Sequence, residues 1–73
     1  MASIKESAIT YIRSDIDTLR DQSEEQEIRA FVNRIRGEIG LLMTTKVITI
    51  DEAQSLEEEM GQARKQAAQK LEV

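Results

Sequence analysis

The chain has 73 residues, of which 14 are acidic and 10 are basic, so its formal net charge is −4 at pH 7. It contains no Cys, His, Trp or Pro, which excludes disulfides, thiolate and imidazole metal ligands, and the side chain that most often serves as a general acid or base. We therefore predict a protein that is not an enzyme, with no catalytic residues, no cofactor and no metal site.

A protein of this size has only a small core. A chain of about 60 residues buries roughly 60% of the surface that it exposes when unfolded, and neither disulfides nor Cys/His zinc sites can compensate here. The apolar side chains are mainly Ile and Leu, and only 3% of the residues are aromatic. We predict one small helical domain over residues 1–73 that forms a homodimer, built either from two compact bundles or by exchange of a helix.

The composition also bears on location and on charged partners. No apolar run approaches the roughly 18 residues that span a bilayer, and the first residues lack the basic and apolar pattern of a secretory signal. We expect a cytoplasmic protein that does not bind membranes. The excess of acidic side chains disfavours general binding to nucleic acids, which depends largely on contacts between basic side chains and phosphates.

The first predicted helix covers residues 4–21. Its apolar side chains recur at steps of three and four residues, which is the period of an α-helix. They are Ile4, Ala8, Ile9, Ile12, Ile16 and Leu19. Ser3 and Glu6 match the capping box that begins many helices. Because β-branched Ile is not a strong helix former, we expect packing of this stripe to stabilise the helix.

The second predicted helix covers residues 24–44. Its apolar stripe consists of Ile28, Phe31, Val32, Ile35, Ile39, Leu42 and Met43. A continuous helix through residues 21–23 would rotate this stripe by roughly 160° from the first, since each residue adds about 100°. A tight turn there instead lets the two stripes face each other, and Ser23 with Gln26 matches a second capping box. We therefore predict a turn.

The third predicted helix covers residues 50–71. Its apolar stripe consists of Ala53, Leu56, Met60, Ala63, Ala67 and Leu71. Thr49 and Glu52 match a third capping box, and Ile48 is placed to form a hydrophobic staple with Ala53. With short connections between the helices, the chain is expected to be all-α: an antiparallel three-helix bundle, or a helical hairpin plus one helix.

Residues 46–53 cover the connection between the second and third helices and the first turn of the third. The β-branched run at 47–50 favours a strand by propensity, but no second run exists to pair with it. The sequence of this connection, Lys-Val-Ile-Thr-Ile-Asp-Glu-Ala, resembles that of many small bacterial and phage helical hairpins, in which an apolar residue, a Thr and acidic residues begin the return helix. The resemblance implies a helical hairpin and carries over no functional residue.

Gly37, Gly40 and Gly61 fall inside the predicted helices, where each costs about 1 kcal/mol relative to Ala. One interpretation is that the helices tolerate this cost. The other is that Gly37 and Gly40 permit the close approach of a second backbone, or that the second helix bends or ends there. The sequence leaves both interpretations open.

Three groups of carboxylates could hold a divalent cation or act as acid–base pairs. They are Asp15 with Asp17, Glu24 with Glu25 and Glu27, and the run Glu57, Glu58 and Glu59. Neighbouring helical residues point about 100° apart, so such side chains fan around a helix instead of converging on one ion. We interpret them as solvated helix faces.

Two helices carry arginines seven residues apart. These are Arg13 and Arg20 on the first helix, and Arg29 and Arg36 on the second. Together with Asn33, the second pair could contact a phosphate or an acidic protein surface. We favour pairing within the chain, of Glu25 with Arg29 and of Asp17 with Arg20 or Arg13.

The most apolar stretch of the chain extends from residue 41 to residue 50, and Leu41 within it falls off the main stripe. Such a stretch is either the filled end of a bundle or a contact surface. The residues that we predict for contact with a protein partner, with the arginines setting its orientation, are Phe31, Ile39, Leu41, Leu42, Met43, Arg29 and Arg36.

These patterns predict a small non-catalytic regulatory or adaptor protein that binds another protein, and itself as a homodimer, through a helical surface. One alternative is a nucleic-acid-associated regulator that uses the arginine flanks described above. The other is a purely structural oligomerisation module. The sequence does not name the partner.

Overall fold

The computed structural model describes residues 2–72 and is all-α. It consists of helix α1 (Ile4–Arg20), helix α2 (Glu25–Thr44) and helix α3 (Ile50–Gln69), followed by a short 3₁₀ helix, Lys70–Glu72. The three predicted helices are confirmed to within two residues at each end. Residues 47–50 form no strand, as predicted. Within residues 2–72, no helix is both long enough and apolar enough to cross a membrane.

The helices run up, down and up. Lys5 of α1 pairs with Glu52 of α3 at 3.1 Å, and Arg13 pairs with Glu59 further along both helices at 3.0 Å. Helices α1 and α3 are therefore parallel, and α2 lies antiparallel to both. As a result, the beginnings of α1 and α3 meet the end of α2 at one end of a bundle that measures 41 × 23 × 17 Å.

The core joins one apolar stripe from each helix. Leu19 of α1, Ile35 of α2 and Ala63 of α3 are 0% exposed. The other buried side chains are Ile12, Ile16, Ile28, Val32, Ile39, Ile48, Ala53, Leu56, Met60 and Ala67. All of them lie on the predicted stripes or at the predicted staple position. Since each buried CH₂ contributes about 0.8 kcal/mol, the large side chains of α1 and α2 supply most of the stabilisation, and the alanines of α3 fill little volume.

Each stripe is exposed at one of its two ends. Ile4 at the start of the first stripe, Met43 at the end of the second and Leu71 at the end of the third are all exposed. Periodicity identifies the face of a helix that packs, but it carries no information on where the neighbouring helices end. These three side chains project beyond the core.

Both ends of α1 are capped. The Ser3 hydroxyl accepts a hydrogen bond from the Glu6 backbone N–H at 3.1 Å, which is the first half of the predicted capping box. At the other end, Lys70 Nζ donates to the Arg20 carbonyl at 2.9 Å. A cation at this position also interacts favourably with the helix dipole.

The connection between α1 and α2 is the predicted turn, but the predicted capping box at Ser23 is wrong. Helix α2 has Glu24 as its N-cap residue, and no side chain caps it. Ser23 therefore lies one residue too early to cap the helix. Instead, Gln22 closes the turn from the α1 side: its backbone N–H donates to the Leu19 carbonyl at 3.0 Å, and its side-chain amide donates to the Thr18 carbonyl at 3.0 Å.

Helix α2 ends in a Schellman motif. The N–H of Val47 donates to the Leu42 carbonyl at 2.9 Å, and the N–H of Lys46 donates to the Met43 carbonyl at 3.1 Å. Lys46 has φ = 64°, the left-handed conformation that usually favours Gly at this position. The side chains of Val47 and Leu42 both pack against the core, as is typical of the motif. Because a lysine occupies this position, no glycine marks the helix end in the sequence.

Helix α3 begins with a complete capping box, as predicted. The Thr49 hydroxyl accepts from the Glu52 N–H at 3.1 Å, and the Glu52 carboxylate accepts from the Thr49 N–H at 2.8 Å. This backbone hydrogen bond, supported by Lys5, holds the pKa of Glu52 below its usual value. Ile48 and Ala53 are both buried in the same apolar cluster, consistent with the predicted staple.

The glycines are tolerated within regular helix. A Cβ atom added at Gly37, Gly40 or Gly61 would meet nothing within 4 Å. Helix α2 continues through Gly37 and Gly40 to Thr44, so the interpretation that it ends there is wrong. Within the described chain, no second backbone approaches either residue closely enough to require a glycine.

We predict that Thr49→Ala lowers the free energy of unfolding by about 1 kcal/mol, because it removes the hydroxyl acceptor of the capping box. Ser23→Ala is the matched control. It removes a hydroxyl next to α2 that caps nothing, and its effect should stay within about 0.5 kcal/mol. Urea denaturation followed by circular dichroism measures both. Equal losses from the two variants would contradict a stabilising role for the box.

We further predict that Gly37→Ala raises the free energy of unfolding by about 0.5–1 kcal/mol. The added methyl group has open space around it, and alanine loses less backbone entropy than glycine on folding. Thermal and urea denaturation measure the change. A loss of stability would mean that another chain segment occupies this space in solution.

Candidate functional site

Four large apolar side chains are exposed at one end of the bundle. Ile4 begins α1, Ile50 begins α3, and Leu41 and Met43 lie in the last turn of α2, with exposed fractions of 80%, 65%, 64% and 39%. We call these four residues the end surface. Isolated exposed apolar side chains are ordinary in soluble proteins. A group gathered at one end is more typical of an interaction site.

An open pocket of about 450 Å³ lies within the end surface, at the connection between α2 and α3. Met43, Ile48 and Ile50 form its apolar part. Thr44 and Lys46 contribute polar groups to its lining. The Schellman motif fixes the backbone at Lys46, so this part of the surface is held rigidly by the end of α2.

A shallow groove of about 180 Å³ continues the apolar surface along the side of the bundle, between α1 and α2. Its lining includes Ala8 and Tyr11 of α1 and Leu41 and Leu42 of α2. Leu41 belongs to both the end surface and this groove. The Glu38 side chain forms a polar edge of the groove.

A charged cluster adjoins this groove, centred on Arg34 of α2. The Arg34 guanidinium donates to the Tyr11 hydroxyl at 2.9 Å. Its Nε lies 3.3 Å from an Asp15 carboxylate oxygen and 3.7 Å from a Glu38 carboxylate oxygen. The same guanidinium lies 6.0 Å from the centre of the Phe31 ring, which is the outer limit of a cation–π contact. The Arg34 guanidinium is therefore shared between the Asp15 and Glu38 carboxylates.

The two carboxylates of this cluster are incompletely neutralised. One buried oxygen of Asp15 and one of Glu38 have no hydrogen-bond partner. Burial and the neighbouring Asp15 carboxylate, against the opposing effect of Arg34, raise the pKa of Glu38 to about 7. Protonation of Glu38 removes the repulsion between the two carboxylates. Among residues 2–72, no three acidic side chains converge to hold a metal ion.

The other arginines are mostly paired within the chain. Arg20 binds Asp17 at 2.7 Å and Arg29 approaches Glu25 at 3.3 Å, as predicted. Arg13 instead forms two hydrogen bonds with Glu59 of α3, at 3.1 and 3.0 Å, which raise its pKa. Pairing of this kind neutralises the flank of Arg13 and Arg20, whereas on the second flank Arg36 has no ion-pair partner among the described residues.

The seven residues predicted to contact a partner do not form one surface. Leu41 and Met43 belong to the end surface, Leu42 and Phe31 are half-buried against the core, and Ile39 is buried within it. Arg29 and Arg36 line a different groove, between α2 and α3. Ile39 and Leu41 are two residues apart and therefore about 200° apart around the helix, so they lie on different faces.

Sequence reasoning missed two residues that the structure adds to these surfaces, Ile4 and Arg64, whereas Ile50 lies within the apolar stretch 41–50 that the sequence offered as a contact surface. The position of Ile4 at the start of its stripe is the one signal that could have suggested exposure. Arg64 joins Arg29 and Arg36 in the groove between α2 and α3. Nothing in the sequence pairs Arg64 with the arginines of α2, because that pairing depends on the relative position of two antiparallel helices.

No protein-family model, no curated protein and no solved structure matches the chain significantly.

We predict that the free energy of unfolding falls as the pH rises from about 5 to 7. Folded Glu38 has a pKa of about 7, whereas an unfolded Glu has one of about 4.3. The folded state therefore binds more protons within this window, and its stability decreases as they are released. Glu38→Gln keeps a neutral, hydrogen-bonding side chain and should be more stable than the unmodified protein at pH 8, on the order of 1–3 kcal/mol.

Urea denaturation at pH 5, 6, 7 and 8 measures this dependence. Glu57→Gln, at an exposed position of α3, is the control and should leave the slope with pH unchanged. An identical slope for Glu38→Gln and the unmodified protein would contradict the raised pKa of Glu38.

Proposed function

We propose that this protein is a small non-catalytic regulator or adaptor of the cytoplasm that acts by protein–protein contact through its helical surface, and that it forms a homodimer through the end surface. The observation that carries this proposal is the exposure of Ile4, Leu41, Met43 and Ile50 at one end of the bundle. The adjoining groove between α1 and α2 extends the apolar area available for contact.

Energetics favour a contact that buries the whole end surface at once. Full burial of one Leu, Ile or Met side chain contributes about 1.5–3 kcal/mol. A two-fold interface buries each residue twice, and the loss of translational and rotational freedom costs about 4–15 kcal/mol. Burial of one side chain from each chain contributes at most about 6 kcal/mol, near the lower limit of this cost, whereas burial of all four from each chain is comparable with it.

Light scattering after size-exclusion chromatography, over about a hundredfold range of concentration, tests the proposal. We expect the unmodified protein to be a dimer and Leu41→Asp to be a monomer, because the substitution places a charge in the apolar contact. Helicity measured by circular dichroism should not change, since Leu41 is largely exposed.

Leu71→Asp is the matched control, because Leu71 is also exposed and apolar but lies at the other end of the bundle. It should remain dimeric. A monomer at every concentration of the unmodified protein would contradict the homodimer, and a loss of helicity in Leu41→Asp would contradict the assignment of Leu41 to the surface.

A further inference from the structure

A second groove lies at the end of the bundle opposite to the end surface, between the first half of α2 and the last turns of α3. It is open and encloses about 340 Å³. Three arginines line it, Arg29 and Arg36 from α2 and Arg64 from α3. We call it the arginine groove.

The floor of the arginine groove is apolar. It includes Ile28 and Val32, which at 6% are the most exposed of the buried core side chains. Ala68 and Leu71 of the C-terminal part complete it, and Leu71 is 44% exposed. Because Ile28 and Val32 are almost fully covered, Leu71 offers most of the apolar surface that a side chain of another molecule could contact here.

The rim of the groove holds positive charge that the chain itself does not neutralise. Arg36 and Arg64 form no ion pair with any side chain that the structure describes. Arg29 pairs with Glu25, but the two side chains are 70% and 76% exposed, and such surface pairs contribute little. The arginines outside the groove are Arg13, Arg20 and Arg34, and each pairs with at least one carboxylate. In a chain of net charge −4, uncompensated guanidinium groups are thus concentrated around one apolar floor.

We propose that the arginine groove binds an acidic amphipathic helix of a partner protein. Its apolar side chains would contact Ile28, Val32 and Leu71, and its carboxylates would bind the guanidinium groups above them, through the paired hydrogen bonds that Arg forms with carboxylates. Seven residues separate Arg29 from Arg36, which is about 10.5 Å along the helix axis. Two carboxylates seven residues apart on a bound helix match this spacing.

A bound helix would pack between α2 and α3 and would give the bundle a fourth member at this end. The apolar floor accounts for affinity, and the charges account for orientation and for the choice of an acidic partner. The inference shares with the proposed function the idea of protein–protein contact, but it involves other residues and does not depend on the homodimer.

The probe is a synthetic helical peptide of about 18 residues with Leu on one face and Glu residues seven apart on the flank, titrated into the isotope-labelled full chain and followed by NMR. A second peptide has Gln at each Glu position. We expect the Glu peptide to bind at least tenfold more tightly than the Gln peptide, with chemical-shift changes centred on residues 28–36 and 64–71. Its affinity should fall as salt is added.

Variants of the protein locate the site. Arg36→Gln combined with Arg64→Gln should weaken binding of the Glu peptide at least tenfold. Arg13→Gln combined with Arg20→Gln removes the same charge outside the groove and should change it less than twofold. These four side chains are outside the core, and circular dichroism checks that each variant remains folded. The Leu41→Asp variant should bind the peptide normally, so failure of the homodimer and failure of the groove give different results.

Several results would overturn the inference. These are no measurable binding of the Glu peptide, equal affinity for the Glu and Gln peptides, shift changes centred on the end surface, and equal losses from the two double variants. Tighter binding of a short DNA duplex through Arg36 and Arg64 would also overturn it, because the groove would then recognise phosphates instead of an acidic helix.

Discussion

The structure depends on the mutual burial of three apolar stripes. The chain has no Cys or His, so neither a disulfide nor a Cys/His zinc site can hold it together, and its Ile-rich first helix has only modest intrinsic helix propensity. Isolated helices of this length are marginal in water. Leu19, Ile35 and Ala63, one from each helix, exclude solvent completely. Burial of the three stripes therefore determines how the helices pack and which surfaces they present.

Packing of this kind produces two unlike ends. At one end, the large side chains of Ile4, Leu41, Met43 and Ile50 extend past the point where the helices cover one another. At the other, the alanines of α3 leave a shallow apolar floor with arginines around it. Apolar burial has no preferred direction, whereas ion pairs select orientation and partner. The proposed homodimer would use the first end, and the proposed acidic helix would use the second.

Local signals in the sequence were sufficient for the helices and for the buried core. The period of apolar residues identified the buried side chains of the three helices, the staple position identified Ile48, and Thr49 with Glu52 marked the start of α3 correctly. The first connection was located correctly, but its cap was not, because a capping-box pattern one residue out of place looks the same as a real one. Lys46 in a left-handed conformation gave no local signal for the end of α2.

The candidate surfaces were less predictable because they join residues that are distant in the chain. The hydrogen bond between Arg13 and Glu59 spans 46 residues. Arg36 and Arg64, which line the same groove, are also distant in the chain, so the sequence did not show that they lie together. The exposure of Leu41 could be predicted from its place off the main stripe. The exposure of Ile50 could not, because it depends on where α1 and α2 end relative to α3.

The hydrogen bond from Lys70 to the Arg20 carbonyl joins the C-terminal 3₁₀ helix to the end of α1. Lys70 precedes Leu71, which lines the arginine groove, and Arg20 is the last residue of α1. Lys70 and Leu71 therefore place the 3₁₀ helix between the arginine groove and the end of α1. The position of Leu71 in the arginine groove and the hydrogen bond at the end of α1 therefore depend on the same short helix.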